Sequence, residues 1–294
     1  MLRKVPQLKP RFPWIRPAIF AIAGLMCVVS LFHLIAIAIE DAQSRKENQE
    51  LIDLVVIERE PVVEETQIQL QSNGQVAITG TGDTQDGEDV DPVAAALTAS
   101  IPILVDFDAL QAQNPDVVAW IYCEDTVINY PILQGDDNQY YVNHSVNGTR
   151  NASGALFMDF RNTEDFHDLN SVIYGHNMND GSMFGILTQY KKQAFYEKNP
   201  VIWLLTPECA YRVDPVAGFV ARSDDRDTFC FYDTQEEMRR NLARQMEKSV
   251  IETPITDPSG VKQLITLSTC SYEHPTARFV LVGSMTAAQY PDKE

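Results

Sequence analysis

Apolar residues run without a charged side chain from position 17 to 39 (PAIFAIAGLMCVVSLFHLIAIAI), a stretch long enough to cross a bilayer core as a helix. Residues 40–59 set Leu51, Ile52, Leu54, Val55 and Val56 among charges, a pattern that lets the helix continue out of the bilayer. Residues 60–100 are rich in Gln, Thr, Gly, Asp and Glu and hold no sustained period. Such a composition does not bury enough apolar surface to offset ordering entropy, so it reads as a tether. From residue 101 the pattern changes to short apolar and alternating runs. Strands are expected at 117–122, 127–133, 154–158, 171–175, 200–206, 209–220, 263–270 and 278–284. A short helix is expected before them, near 106–113, and one clear helical stretch interrupts them, from Thr234 to about residue 250. The second opens on Thr234-Gln235-Glu236-Glu237, the form of a capping box, and Met238, Leu242 and Met246 recur at helical spacing. Those methionines are its core face. Strands with one or two inserted helices predict a mainly β domain, a closed or nearly closed barrel.

Charge orients this plan. Arg3, Lys4, Lys9, Arg11 and Arg16 precede the apolar stretch, and Glu40 and Asp41 follow it. The positive-inside rule therefore puts residues 1–16 in the cytoplasm as a basic tail and everything after residue 40 outside. The apolar run exceeds the h-region of a cleaved signal, so 17–39 reads as an uncleaved transmembrane signal anchor. Cys27 and His33 within it are polar passengers. Residues 40–100 follow as a stalk, partly helical and then disordered, and 101–294 form one domain. A formal net charge of −18 disfavours nucleic acid as a partner. The acidic run 83–91 lacks the spacing of a calcium loop and reads as solvated linker.

The candidate chemistry lies at strand ends. Gln263 to Thr269 is a strand-like run ending on Cys270, and Ala277 to Gly283 is another that opens with Arg278 in its second position. The short connection between them makes them neighbours, with Cys270 and Arg278 facing across about 5 Å of backbone. A guanidinium beside a thiol favours a thiolate, or an oxyanion next to it. The run Ser171-Val172-Ile173-Tyr174 leads into Gly175-His176-Asn177, which puts His176 at a strand end as well. Sulfur, imidazole and guanidinium together are the parts of nucleophilic catalysis. His274 sits in the loop between the two key strands but its aim is not set by sequence, whereas His144 and His167 lie in polar loop text. Cys270 and His274 have no second Cys/His pair to complete a metal site, and no metal or cofactor is expected. Cys209 and Cys230 read as buried free thiols, although nothing in the sequence decides whether they approach each other. The sequons at Asn143, Asn147 and Asn151 are incidental.

TLSTC (266–270), ARFVLVG (277–283) and VIYGHNMNDGSMFGIL (172–187) resemble the signature segments of sortases, and the last is similar to class B sortases in particular. Asp106-Phe107-Asp108-Ala109-Leu110, Asn114-Pro115-Asp116, Trp120-Ile121-Tyr122 and the run from Asn129 to Tyr141 add to the resemblance, which covers residues 101–285. It implies an eight-stranded β-barrel with N-terminal helices and an added helix before the last two strands.

The resemblance further implies a membrane-anchored cysteine transpeptidase. Cys270 would attack the threonyl carbonyl of a C-terminal sorting motif in a surface protein. His176 would protonate the departing amine, and Arg278 would hold the substrate carbonyl or oxyanion, with the Ser271 N–H as a second donor. An amine of a peptidoglycan precursor or a pilin would resolve the thioester. Tyr174, Ser268, Asn138 and Val142 would line the substrate groove. The position after the nucleophile is often acidic in the family and is Ser271 here, so no carboxylate is available there. Two other classes fit the same parts: a cysteine peptidase that only hydrolyses, and a non-catalytic binding module on a stalk.

Overall fold

The computed structural model describes residues 15–58, 67–79 and 92–291. Helix α1 (Ile15–Val55) takes in the whole apolar stretch and continues beyond it. Its most apolar window has a mean hydropathy of 2.6 with none of it buried, and Phe20 and Phe32 are 77% and 70% exposed. α1 is thus long and apolar enough to cross a membrane. The basic residues Arg3, Lys4, Lys9 and Arg11 lie outside the described residues, as does the acidic run 83–91.

Beyond the apolar stretch α1 comes down onto the rest of the molecule. It is followed by β1 (Val56–Glu58), the hairpin β2 (Gln67–Leu70) and β3 (Val76–Thr79), α2 (Pro92–Ala99) and β4 (Ile103–Val105). β1 pairs antiparallel with β4, Val56 opposite Val105. Leu51 of α1 and Leu97 of α2 are buried with Ile101, Ile103, Trp120 and Leu133 in one cluster. The β2–β3 hairpin docks on the segment before the last two strands, where Thr256 and Asp257 donate their N–H groups to the Ser72 carbonyl, both at 2.8 Å. The tether expected over 60–100 therefore needs correcting for its described parts, which are folded. Each part buries only a few side chains, too few to register as a period or a composition.

α3 (Phe107–Gln113) is capped by the Asp106 carboxylate, which accepts the Ala109 N–H at 3.0 Å. Eight strands then close a barrel: β5 (Val117–Tyr122), β6 (Asn129–Leu133), β7 (Leu156–Met158) and β8 (Asn170–Gly175) come first. Helix α4 (Gln193–Lys198) separates them from β9 (Ile202–Leu205) and β10 (Ala210–Arg222). Helix α5 (Gln235–Glu247) precedes the last two strands, β11 (Leu264–Cys270) and β12 (Ala277–Ala288). The order around the barrel is β10-β12-β11-β8-β7-β6-β5-β9. Its interior is filled by Ile121, Ile132, Ile173, Leu204, Leu267 and Phe279 among others, the inward set of each alternating strand. The expected architecture is the observed one, including a helix between the sixth and seventh barrel strands. Thr234 caps α5 by accepting the Glu237 N–H at 3.2 Å, and Met238 and Leu242 bury its apolar face. α4 and the 3₁₀ turn Gly185–Lys191 were not legible in advance. Both are too short to show a helical period, and tertiary burial of Leu187, Tyr190 and Tyr196 holds them.

Two barrel pairs are parallel, β6 with β7 and β8 with β11. The second decides where the chemistry goes. Parallel neighbours end on the same rim, so the residue leaving β8 and the residue ending β11 are delivered to one place. β12 is antiparallel to β11 and therefore starts at that rim.

Candidate active site

The strand register assembles the three reactive residues. Thr269 pairs with Gly175 across β11 and β8, and Cys270 pairs with Arg278 across β11 and β12. His176, the next residue after β8, follows at the same rim. Cys270, His176 and Arg278 line one cleft of about 470 Å³ together with Asn138, Val142, Tyr174 and Ser268. Seven of the eight site residues expected from sequence are brought together there.

Local backbone constraints fix His176. A Cβ on Gly175 would stand 2.4 Å from Leu156 Cδ2 and 2.7 Å from the Phe184 ring, so only glycine lets β8 pass this close. Phe184 then donates its N–H to the His176 carbonyl at 3.0 Å. The His176 Nε2–H donates to the Val142 carbonyl at 2.7 Å. Val142 is itself held in place by Gly154, whose φ of +57° and missing side chain let the Tyr141 and Val142 carbonyls approach to where a Cβ would be 2.5 and 2.6 Å away. On the other side Asn177 Nδ2 donates to the Cys270 carbonyl at 2.8 Å, tying the histidine loop to the end of β11. Arg278 is half-buried, and its Nη1 donates to the neighbouring Ala277 carbonyl at 3.2 Å.

Ser271 departs from expectation. Its N–H donates to the Ala277 carbonyl at 3.0 Å, closing the β11–β12 turn, so it is not a free oxyanion donor. Its hydroxyl is turned away from the cleft, into an adjoining groove with Asn177, Lys191, Tyr272 and Glu273. There Lys191 Nζ donates to Ser271 Oγ at 3.0 Å and pairs with Glu273, which also takes the Ser271 hydroxyl. These bonds, Lys191 first, hold the Glu273 carboxyl down at about 2. The charge that the sequence lacks at 271 is thus supplied two residues later, already paired.

Tyr174 lies on the cleft floor between Phe157 and Phe229, with ring centroids 5.4 and 6.1 Å away. Its hydroxyl donates to Asp159 Oδ2 at 3.0 Å, and burial together with that carboxylate pushes the phenol well up. Ser268 is buried, its hydroxyl without a partner among the described residues. Asn138 Oδ1 accepts the Phe160 N–H at 3.0 Å. Sequence reasoning missed Asn177, although it stands in the YGHN run, and it missed Arg161, which also lines the cleft. The signal for Arg161 was a charged pair, Asp159 and Arg161, directly after an apolar strand.

The rivals fall away on placement. His274 shares a 3.4 Å contact with Thr276 and does not line the cleft. His167 is exposed and paired with Asp165. His144 stacks on the exposed Tyr140 with centroids 4.1 Å apart. Cys123, Cys209 and Cys230 are free thiols whose pKa is raised by burial, which suppresses their reactivity.

A thiol, an imidazole and a guanidinium thus share one cleft at the rim of a closed barrel, the parts that cysteine acyl transfer calls for. The family model for the sortase domain matches residues 121–286. The chain is 35% identical over 181 residues to sortase B of Listeria monocytogenes, covering 60% of this chain and 72% of that protein. It superposes on a Staphylococcus aureus sortase B–substrate complex with a TM-score of 0.57 at 31% identity, over 62% of this chain and 84% of that one. A sortase B complexed with triglycine matches with a TM-score of 0.56 at 30% identity, over 62% and 85%. The chain belongs to the sortase family, within its class B, and is a cysteine transpeptidase.

Proposed function

We propose that Cys270 cleaves a sorting motif near the C-terminus of a surface protein after threonine and transfers the acyl half to an amine. The supporting observation is the parallel β8–β11 register, which delivers His176 and Cys270 to one rim with Arg278 opposite. The Cys270 thiolate adds to the threonyl carbonyl, and the resulting oxyanion is held by the Arg278 guanidinium. His176, protonated, gives its proton to the leaving amine as the C–N bond breaks and a thioester forms. To do so the ring turns away from the Val142 carbonyl. An incoming amine attacks the thioester, loses a proton to His176, and the thiolate is restored. Tyr174, Ser268, Asn138 and Val142 line the path of the motif. Ser271 acts indirectly, through Lys191 and Glu273.

The substrate and triglycine complexes of the related sortases support a peptide donor and an amine acceptor. The acceptor here is an amine of a peptidoglycan precursor or a pilin. Residues 1–16 lie in the cytoplasm, 17–39 cross the membrane and the catalytic domain lies outside, following the basic residues before the apolar stretch.

The test uses the full chain in detergent, wild type and Cys270→Ala, with quenched sorting-motif peptides and either oligoglycine or a diaminopimelate-type amine. Mass spectrometry should find cleavage after threonine, an adduct on Cys270 and an amine-dependent ligation product. Cleavage that survives Cys270→Ala sinks the mechanism. Hydrolysis that no amine diverts points to a peptidase instead.

A further inference from the structure

Helix α1 runs without a break from the apolar span onto the barrel, and no proline or glycine stands between Gly24 and Val55 to bend it. Beyond the span its outer face is laced by pairs one turn apart. Gln43 donates to Glu47 at 3.0 Å, Lys46 meets Glu50 at 3.2 Å and Gln49 donates to Asp53 at 2.7 Å. Its other face, with Arg45, Asn48, Leu51 and Ile52 at helical spacing, is fastened to the domain. Arg45 pairs with Asp180, and Asn48 Nδ2 donates to the Asn129 carbonyl at 3.2 Å. Leu51 is buried in the cluster that holds Trp120, and Ile52 packs against it. One exposed ion pair fixes little. Contacts spread over about 10 Å of helix fix the direction of its axis.

The first of these contacts lands beside the chemistry. Asp180 is at the tip of a loop that leaves His176 and returns at Phe184, closed by the bridge between Asn177 and Met183. Asp180 Oδ1 stiffens the tip by accepting the Ser182 N–H at 3.0 Å and the Ser182 hydroxyl at 2.6 Å. The Tyr130 hydroxyl accepts the Met183 N–H at 3.2 Å, and Asn177 Nδ2 ties the base of the loop to the Cys270 carbonyl. Ile39, the last residue of the apolar span, is about 9 Å of helix from Arg45. The loop from Asp180 back to His176 adds at most about 14 Å. Span and Cys270 rim are therefore joined by a fixed path on the order of 30–40 Å at its longest, and the rim stands no higher than that above the span.

We propose that α1 is a rigid strut that holds the Cys270 rim at one height above the bilayer. The partner this arrangement fits is a membrane-anchored chain whose attacked bond stands far enough from its own anchor to reach that height. The assignment rests on the reading above that 17–39 cross the membrane and that Cys270 cleaves peptide. A spacer shorter than the height fails to reach the rim however well its motif binds. A longer one has only to loop back, which costs little for each added residue. The strut therefore sets a sharp lower limit on spacer length, at no more than about a dozen extended residues, with a gentle decline above it.

The experiment reads height and turnover separately, on the full chain in lipid vesicles. Wild type is compared with a helical insertion of about two turns between Asp41 and Ala42, and with a Gly-Ser insertion of about equal length at the same point. Both keep every contact from Arg45 onward. Height is read by energy transfer from a fluorophore on Cys270 to acceptor-labelled lipid headgroups, with Cys27, Cys123, Cys209 and Cys230 replaced by alanine. Turnover is read with the native cysteines, on sorting-motif peptides joined at their C-terminal side to a transmembrane helix by spacers of graded length. The same peptides are also offered free in detergent. Wild type should show one height, within about 40 Å. The helical insertion should raise it by up to about 10 Å and move the shortest cleaved spacer outward by about three residues. The Gly-Ser insertion should spread the height and let shorter spacers react, while all three forms cleave free peptide at one rate. A height as broad in wild type as in the Gly-Ser form, or a spacer limit that neither insertion moves, would overturn the proposal. A single height that shifts as stated, with no peptide cleaved even in detergent, would defeat the catalytic reading and leave the strut standing.

Discussion

His176 Nε2 lies 2.7 Å from the Val142 carbonyl oxygen, so the imidazole is latched to the turn that Gly154 supports rather than to the Cys270 sulfur. Gly154→Ala places a Cβ 2.5 Å from the Tyr141 oxygen at a φ of +57°, a strained conformation costing on the order of 1–3 kcal/mol. The variant should melt earlier, and its single-turnover acylation should slow because the latch moves. An alanine variant that melts and acylates like the wild type would show that the turn yields freely and that the latch has no role.

Gly175 supports the same histidine from its backbone. An added methyl at 2.4 Å from Leu156 Cδ2 has no space in the packed core, and overpacking of this kind costs about 1–3 kcal/mol. Gly175→Ala should therefore lower the urea midpoint and displace His176, reducing kcat more than KM. Unchanged kcat in a destabilised variant would separate the packing role from the positioning role.

Most of this site was legible because each reactive residue adjoins a strand, and strand runs are read well from alternation and β-branched content. What sequence alone does not give is which strands are neighbours. The parallel pairing of β8 with β11 joins segments far apart in the chain in a way no local pattern states. Ser271 shows the opposite limit. Its position beside Cys270 suggested an oxyanion donor, but the tight β11–β12 turn uses its N–H for the Ala277 carbonyl. Leu51 and Leu97 are buried side chains in weakly patterned text, and only the tertiary cluster around Trp120 reveals why they are apolar.

Arg278, the second residue of β12, lies directly across from Cys270. Removing one oxyanion donor typically lowers kcat by about 10²–10³, and Arg278→Ala should do so with KM little changed. Arg278→Lys keeps the charge and loses the fork, so an intermediate loss is expected. Steady-state kinetics decide the matter. A loss confined to KM would assign the guanidinium to ground-state binding.

The Glu273 carboxylate gives a signed pH dependence. Its folded pKa of about 2, set chiefly by the Lys191 hydrogen bond, lies below the ordinary 4.5. A depressed carboxyl stabilises the fold above its unfolded value and loses that contribution as pH falls through the folded one. The difference in melting temperature between wild type and Glu273→Gln should therefore be constant from pH 8 to about 5 and vanish between about 4.5 and 2. The side chain is 43% exposed, so solvent screening keeps the difference small. A difference that grows on acidification would contradict the pairing with Lys191.

The N-terminal segments are the last point on which the molecule differs from a barrel on a loose stalk. β1 pairs with β4, Leu51 and Leu97 are buried beside Trp120, and Arg45 of α1 pairs with Asp180 in the loop that follows His176. A buried leucine truncated to alanine costs about 2–5 kcal/mol. A fragment starting near residue 100 removes both leucines, β1 and the Arg45 tie at once. It should unfold at a clearly lower urea concentration than a fragment starting near residue 42, and Leu51→Ala in the longer fragment should reproduce part of that loss. Because the loop bearing Asp180 adjoins His176, the shorter fragment should also turn over peptide more slowly under conditions where both remain folded. Equal midpoints for the two fragments would return residues 42–99 to the status of a tether.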